Sequence, residues 1–258
     1  MALVRTATEA GVTTVSLDSP GNRNALSTPL MHDLLDALGE ALTDPAVRVV
    51  VLSHTGSVFC SGADLKETAA ARESGRVPAG MIADLLAALW EFPKPIVARV
   101  AGPARAGGLG LIAAADIAVC TRAATFAFAE VRLGVIPAVI SATVLPRLAP
   151  RASAELYLTG DIFDGVRAAE IGLVTVAVPA EELDGRVRGY CDSLVLGGPL
   201  ALAGTKQLLR RTPIRTELAE LSARSAAYFR SAEGREGVTA FRAKRSPSWV
   251  PTAPTAHR

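Results

Sequence analysis

The 258-residue chain has few cysteines, few aromatics and no bias toward either charge sign, and each shortage excludes a class of protein. Its three cysteines, Cys60, Cys120 and Cys191, lie far apart, with no CxxC and no histidine at ligand spacing. That pattern fits reduced, buried thiols in a cytoplasmic protein and argues against a structural metal. The 27 basic and 25 acidic residues are well mixed, giving a net charge of +2. Without a basic stripe interleaved with aromatics, no nucleic-acid partner is expected. Met1 to Ala10 shows no basic-then-apolar signal pattern. The longest apolar run, Leu109 to Cys120, contains Asp116 and is too short to span a bilayer, so no membrane partner is expected. There is no P-loop and no G-x-S-x-G elbow, and His32, His54 and His257 have no partners at useful spacing.

What is present is apolar. Hydrophobic residues make up 50% of the chain, carried mainly by alanine and leucine, while aromatics contribute 5%. This predicts helix-rich α/β packing. Gly11 to Leu17 is Val/Thr-rich and predicts a strand, closed by Asp18-Ser19-Pro20-Gly21. Thr28-Pro29 reads as an N-cap followed by a first-turn proline, with Leu30, Leu34, Leu38 and Leu42 at helical spacing up to Asp44-Pro45. Val47 to Leu52 predicts a strand buried on both faces. Past Lys66 an alanine-rich stretch interrupted by Gly75, Pro78 and Gly80 reads as a mobile surface segment, before a helix from Met81 to about Phe92. A strand over Pro95 to Val100, a helix over Gly107 to Ala115 and a strand over Asp116 to Cys120 follow. After Pro179 the pattern is helical throughout: one face through Leu183, Val187, Tyr190 and Leu194, then Pro199 to Arg211, Arg215 to Ser231 and Glu233 to Arg245. The expected division is a core over residues 1–195 and a helical C-terminal region over 196–258.

Gly108-Leu109-Gly110-Leu111-Ile112-Ala113 matches G-x-G-x-x-A, with Glu130 further along. A dinucleotide turn needs its first glycine at the end of a strand. The preceding predicted strand stops near Val100, so this reading is set aside. Three other segments carry more. In Gly56 to Lys66, the small residues Ser61, Gly62 and Ala63 allow a substrate to approach the backbone, although an ordinary strand-to-helix loop capped by Asp64 explains them equally well. Ala106-Gly107-Gly108 opens a helix whose free N–H groups suit a developing oxyanion, although close helix packing explains the glycines too. Glu130, set among apolar residues after Phe126-Ala127-Phe128-Ala129, would have a raised pKa, unless it is a surface glutamate paired with Arg132.

Together the three segments resemble the crotonase (enoyl-CoA hydratase/isomerase) family, and the resemblance covers nearly the whole chain. It runs through Pro20 to Leu26, Phe59 to Glu67, Ala101 to Asp116, Phe126 to Pro146, Leu158-Thr159-Gly160, Ala168 to Val174 and Glu236 to Trp249. It implies an α/β fold, a crotonase-type ββα spiral with a helical C-terminal subdomain, assembled as a homotrimer or a dimer of trimers. It also implies that the N–H groups of Ala63 and Gly107 bind a thioester oxygen, with Glu130 moving protons beside it. The acyl-CoA is then the substrate and no separate cofactor is needed. By the same resemblance Arg23, Ala25, Ser61, Asp64, Leu65, Lys66, Gly110, Pro137 and Ala138 line the substrate site. Phe241 and Lys244 lie near the CoA nucleotide, often reaching from a neighbouring subunit.

One departure matters. A two-carboxylate hydratase of this family has a glutamate three residues after the oxyanion glycine, where this chain has Gly110. The run Ala-Glu-Val-Arg-Leu-Gly-Val-Ile-Pro-Ala-Val-Ile-Ser, residues 129–141, resembles the bacterial methylglutaconyl-CoA hydratase branch, which tolerates that glycine. Hydration of a 2-enoyl-CoA by a single glutamate is therefore the leading expectation. The alternatives are a Δ3,Δ2-enoyl-CoA isomerase and a non-catalytic acyl-CoA-binding oligomer.

Overall fold

The computed structural model describes residues 2–64, 67, 79–210 and 214–250. The hairpin of β1 (Val4–Glu9) and β2 (Val12–Leu17) leads to α1 (Thr28–Thr43), β3 (Val49–His54), α2 (Ala79–Glu91) and β4 (Ile96–Val100). Next come the two-residue strand β5 (Ala104–Arg105), α3 (Gly107–Ala114), β6 (Ile117–Thr121) and β7 (Thr125–Ala127). A 3-10 turn over Ala129–Leu133 precedes α4 (Ala138–Val144), α5 (Pro150–Thr159), β8 (Phe163–Asp164), α6 (Gly165–Glu170) and β9 (Val176–Val178). The helices α7 (Leu183–Val195), α8 (Pro199–Leu209), α9 (Ile214–Arg230) and α10 (Ala232–Arg242) complete the described chain.

Strand and helix alternate because the hydrophobic period does. The β-branched run of β3 is buried along its whole length, as befits a central parallel strand covered on both faces. Its alternate residues serve two cores. Val50 and Leu52 join the large core with Leu30, Leu34 and Leu38 of α1, while Val49 and Val51 face Leu183, Val187 and Cys191 of α7. The main sheet runs β1-β2-β3-β4-β6-β9, antiparallel only at the β1–β2 hairpin. A second sheet, β5-β7-β8, stands beside it. Helix α9 packs on α2 and α4, so the C-terminal helices lie against the body of their own chain.

Several expectations shift in detail. The cap of α1 is Ser27, whose hydroxyl accepts from the Leu30 N–H, and Thr28 is already helical. Thr28 instead donates from both its N–H and its hydroxyl to Glu67. The strand expected over Val47 to Leu52 runs Val49–His54, because the Ala46–Arg48 backbone is still turning out of the helix. Helix α8 ends at Leu209, and α10 ends at Arg242 with Lys244 left-handed at φ 53°. The stretch expected to be a mobile segment, 68–78, lies outside the described residues, while Gly80 sits in the first turn of α2. A strand does precede the glycine run after all: β5 is two residues long, too short for a periodic pattern to register. It belongs to the small sheet, with Ala106 between it and Gly107.

Helix α3, which opens at Gly107, is held at its far end by charge. Arg147 Nε donates to Ala113 O at 3.1 Å and Arg210 to Ala114 O at 2.9 Å, so cations meet the negative end of the helix. Asp116 ties Lys206 at 2.7 Å and Arg210 at 2.6 Å, anchoring α8 to the core. No helix among the described residues is long and apolar enough to cross a membrane.

Candidate active site

The site begins with a buried asparagine. Asn24 accepts from the Ser19 N–H at 2.7 Å and donates to Thr55 O at 3.0 Å and Val58 O at 2.8 Å. Arg23 and Asn24 both sit at φ 51°, and this left-handed kink aims the Arg23 carbonyl at the Ser61 N–H, 3.1 Å away. Ala25 is buried behind the kink. Leu26 then bridges Ala63 in parallel, donating to Gly62 O at 2.8 Å and accepting from the Asp64 N–H at 3.4 Å. Those bonds use the carbonyl of Gly62 and the amide of Asp64. The Ala63 N–H between them donates to nothing among the described residues.

Asp64 is also a local cap, as the ordinary reading held. It accepts from the Glu67 N–H at 3.2 Å and from the Asn22 amide at 2.8 Å. Leu65 and Lys66 lie outside the described residues.

The second donor comes from the small sheet. Cys60 bridges Ala104, and the Arg105 N–H donates to Cys60 O at 3.0 Å, which fixes the turn into α3 beside the loop at 61–63. Ala106 makes that turn at φ 47°, ψ −118°, a conformation costly for any residue with a β-carbon. Strain of this kind concentrates at sites the surrounding structure over-determines. Gly107 follows as the first residue of α3, where the amide has no partner within the helix. A β-carbon on Gly107 would lie 3.9 Å from the Ala63 nitrogen and 2.7 Å from Leu26 Cδ1. The two free amides are therefore neighbours, and only glycine leaves the space between them open.

Glu130 arrives at the same end of that sheet. β5 and β7 pair in parallel, with Arg105 opposite Ala127. Gly107 is thus two residues beyond one strand and Glu130 three beyond the other. Glu130 is 8% exposed, in the 3-10 turn closed by Gly134 at φ 66°. Its Oε2 is buried without a hydrogen-bond partner among the described residues. Burial pushes its pKa up to about 7. The alternative pairing fails: Arg132 bonds Asp161 at 2.5 Å and Thr159 O at 3.1 Å, facing away from Glu130.

Opposite these donors the wall is apolar. A β-carbon on Gly110 would stand 2.8 Å from Ile140 Cγ2 and 3.2 Å from Leu86 Cδ2. The position that carries a glutamate in two-carboxylate hydratases is filled by neighbouring side chains. Pro137 and Ala138 begin α4, the helix that supplies Ile140, and Ala138 is buried. Phe241, 56% exposed, and Lys244 lie at the end of α10. That helix packs on the Glu130 turn so closely that a β-carbon on Gly237 would come within 2.2 Å of Leu133 O.

The nearby Cys60 and His54 are taken up in packing. Burial raises the Cys60 thiol to about 12, so it stays protonated, and its sulfur only accepts from the Gly62 N–H at 3.5 Å. His54 is a packing histidine, accepting from the Ala101 N–H at 3.1 Å and meeting the Phe59 ring edge-on. Ile140 and Ser141 end the resembling run 129–141 without having been assigned a role there, and Leu86 and Tyr157 lie outside every resembling segment.

Two adjacent backbone amides, a buried carboxylate and apolar side chains thus gather around the start of α3. The enoyl-CoA hydratase/isomerase family profile matches residues 7–251, and the chain belongs to that family. A carnitinyl-CoA dehydratase of Proteus mirabilis is 32% identical over 256 residues, covering 94% of this chain and 96% of that protein. An enoyl-CoA hydratase of Mycobacterium tuberculosis is 30% identical, with 91% of each chain covered. A solved enoyl-CoA hydratase from Mycobacterium avium is 44% identical, covering 97% of this chain and 100% of that one, and superimposes with a TM-score of 0.86. The mixed α/β fold with its helical C-terminal part is the crotonase fold of these neighbours.

Proposed function

We propose that the protein hydrates a 2-enoyl-CoA, or dehydrates the corresponding 3-hydroxyacyl-CoA, with Glu130 as its single acid–base residue. The carrying observation is Glu130 itself: a buried carboxylate with a pKa near 7 and an oxygen without a partner among the described residues, at the end of the small sheet from which Gly107 also emerges. The Ala63 and Gly107 N–H groups bind the thioester oxygen as negative charge grows there. Such donors are worth about 3 kcal/mol each in acyl-transfer sites. Glu130 takes a proton from water as oxygen bonds to C3, and returns it to C2 of the enolate. A branched, methylglutaconyl-like acyl group is the favoured substrate, on the resemblance of residues 129–141. The functional unit is a cytoplasmic homotrimer or dimer of trimers, with Lys66, Phe241 and Lys244 toward the nucleotide and no cofactor besides the CoA of the substrate.

Glu130→Gln tests the assignment. Turnover on a panel of short, long and branched 2-enoyl-CoAs should fall by about 10²- to 10⁴-fold, the range for losing a general acid–base, with acyl-CoA affinity nearly unchanged. Near-normal hydration by the variant would remove Glu130 from the mechanism.

The wall at Gly110 favours one second reading, a Δ3,Δ2-enoyl-CoA isomerase, because a single base suffices to move a proton from C4 to C2. A 3-enoyl-CoA in heavy water would then give a conjugated thioester without net water addition.

A further inference from the structure

Hydration by one carboxylate leaves a geometric problem. Glu130 can accept one proton from the attacking water, but a single contact does not aim the oxygen at C3. In a two-carboxylate site the second glutamate holds that water. Here its position is closed by Ile140 and Leu86, so the second anchor must come from another direction.

One pair of hydroxyls lies near Glu130. Ser141 follows Ile140 in α4, and its hydroxyl donates to Pro137 O at 2.7 Å. The Tyr157 hydroxyl, from α5, lies 3.5 Å from Ser141 Oγ. The Tyr157 ring packs on Phe128, two residues before Glu130, with centroids 4.6 Å apart. The serine proton goes chiefly to Pro137 O and, as a weak second branch, toward the Tyr157 oxygen, which it helps to position. The phenolic proton therefore has no acceptor among the described residues. Burial raises the phenol pKa and the nearby Glu130 charge adds to it, so Tyr157 is a donor at every working pH.

We infer that the Tyr157 hydroxyl, set in place by Ser141, holds the attacking water jointly with Glu130 Oε2. This rests on the hydratase reading. The phenol donates a hydrogen bond to the water oxygen while Glu130 accepts one water proton. As the O–C3 bond forms, the C2–C3 π electrons move into the thioester to give the enolate. Protonated Glu130 then delivers the same proton to C2, so water is fully accounted for, and Tyr157 keeps its own proton throughout.

The experiment uses the full chain with crotonyl-CoA and a branched 2-enoyl-CoA, beside a reaction that needs no added water. That reaction is exchange of the C2 protons of butyryl-CoA in heavy water, which uses the oxyanion pair and Glu130 alone. Tyr157→Phe should lower the hydration kcat by about 10- to 100-fold, in the range of losing one positioned hydrogen bond at a transition state, with KM nearly unchanged. C2 exchange should stay within about twofold. Ser141→Ala should show the same split at smaller amplitude. Wild-type hydration by Tyr157→Phe, or equal loss of hydration and exchange, would overturn the inference. If Tyr157→Phe fails to fold by circular dichroism, Ser141→Ala decides by the same split. A wild-type protein that exchanges C2 protons but hydrates nothing would overturn the hydratase reading itself, and this inference with it.

Discussion

Ile140 occupies the space that a side chain on Gly110 would need, its Cγ2 standing 2.8 Å from where a β-carbon would be. The absent second carboxylate is thus not a gap open to water but a packed wall. Gly110 sits inside α3 with no positive φ, so its reason for being glycine is this contact.

Gly110→Ala should consequently destabilise the fold by about 1–3 kcal/mol, the cost of overpacking, less the roughly 1 kcal/mol by which alanine favours a helix over glycine. Adding Ile140→Ala should return most of that loss. Chemical denaturation of the two singles and the double gives the coupling; additive effects would place the clash elsewhere.

The raised pKa of Glu130 has a stability consequence with a definite sign. Its folded value is about 7 against an ordinary 4.5, so between those pH values the folded state holds a proton that the unfolded state has lost. Stability must therefore fall as pH rises from 4.5 through 7, by up to about 3 kcal/mol at about 1.4 kcal/mol per unit. Glu130→Gln should lack this slope and be the more stable protein at pH 8. Denaturant midpoints at pH 5 and pH 8 for both proteins check it.

The same ionisation should appear in catalysis. Glu130 begins and ends each turnover as the carboxylate in either direction, so kcat/KM for hydration and for dehydration should rise together through pH 7. A flat profile in both directions would show that Glu130 does not change charge in the reaction.

Asn24 ties the turn at Ser19 to the Thr55 and Val58 carbonyls that lead into the loop at 61–63. Asn24→Ala would strip partners from the Ser19 N–H and the Thr55 and Val58 carbonyls at once. The expected loss is about 2–4 kcal/mol for several buried groups left unsatisfied. Thermal melts should show a lower midpoint, with protection of the Ser61 amide against hydrogen exchange lost first.

Much of the fold was legible because its elements are long and periodic. The β-branched run ending in β3, the leucine face of α1 and the proline-opened helix at Pro199 all fall close to where their patterns place them. The misses are short or local. Two-residue β5 has no period to read, and the choice of Ser27 over Thr28 as cap depends on where Glu67 lies. Segments 65–66 and 68–78, which include Leu65 and Lys66, lie outside the described residues.

The sequence by itself determined the element order and the family resemblance, since these depend on local pattern and on residue types within a few positions. It could not say whether Glu130 paired with Arg132 or stood alone, nor whether Gly110 faced water or a wall. Those answers depend on residues distant in the chain: Asp161 and Thr159 draw Arg132 away, and Ile140 and Leu86 close over Gly110. Desolvation is a property of everything packed around a group, so the charge state of Glu130 was decided only by the tertiary structure.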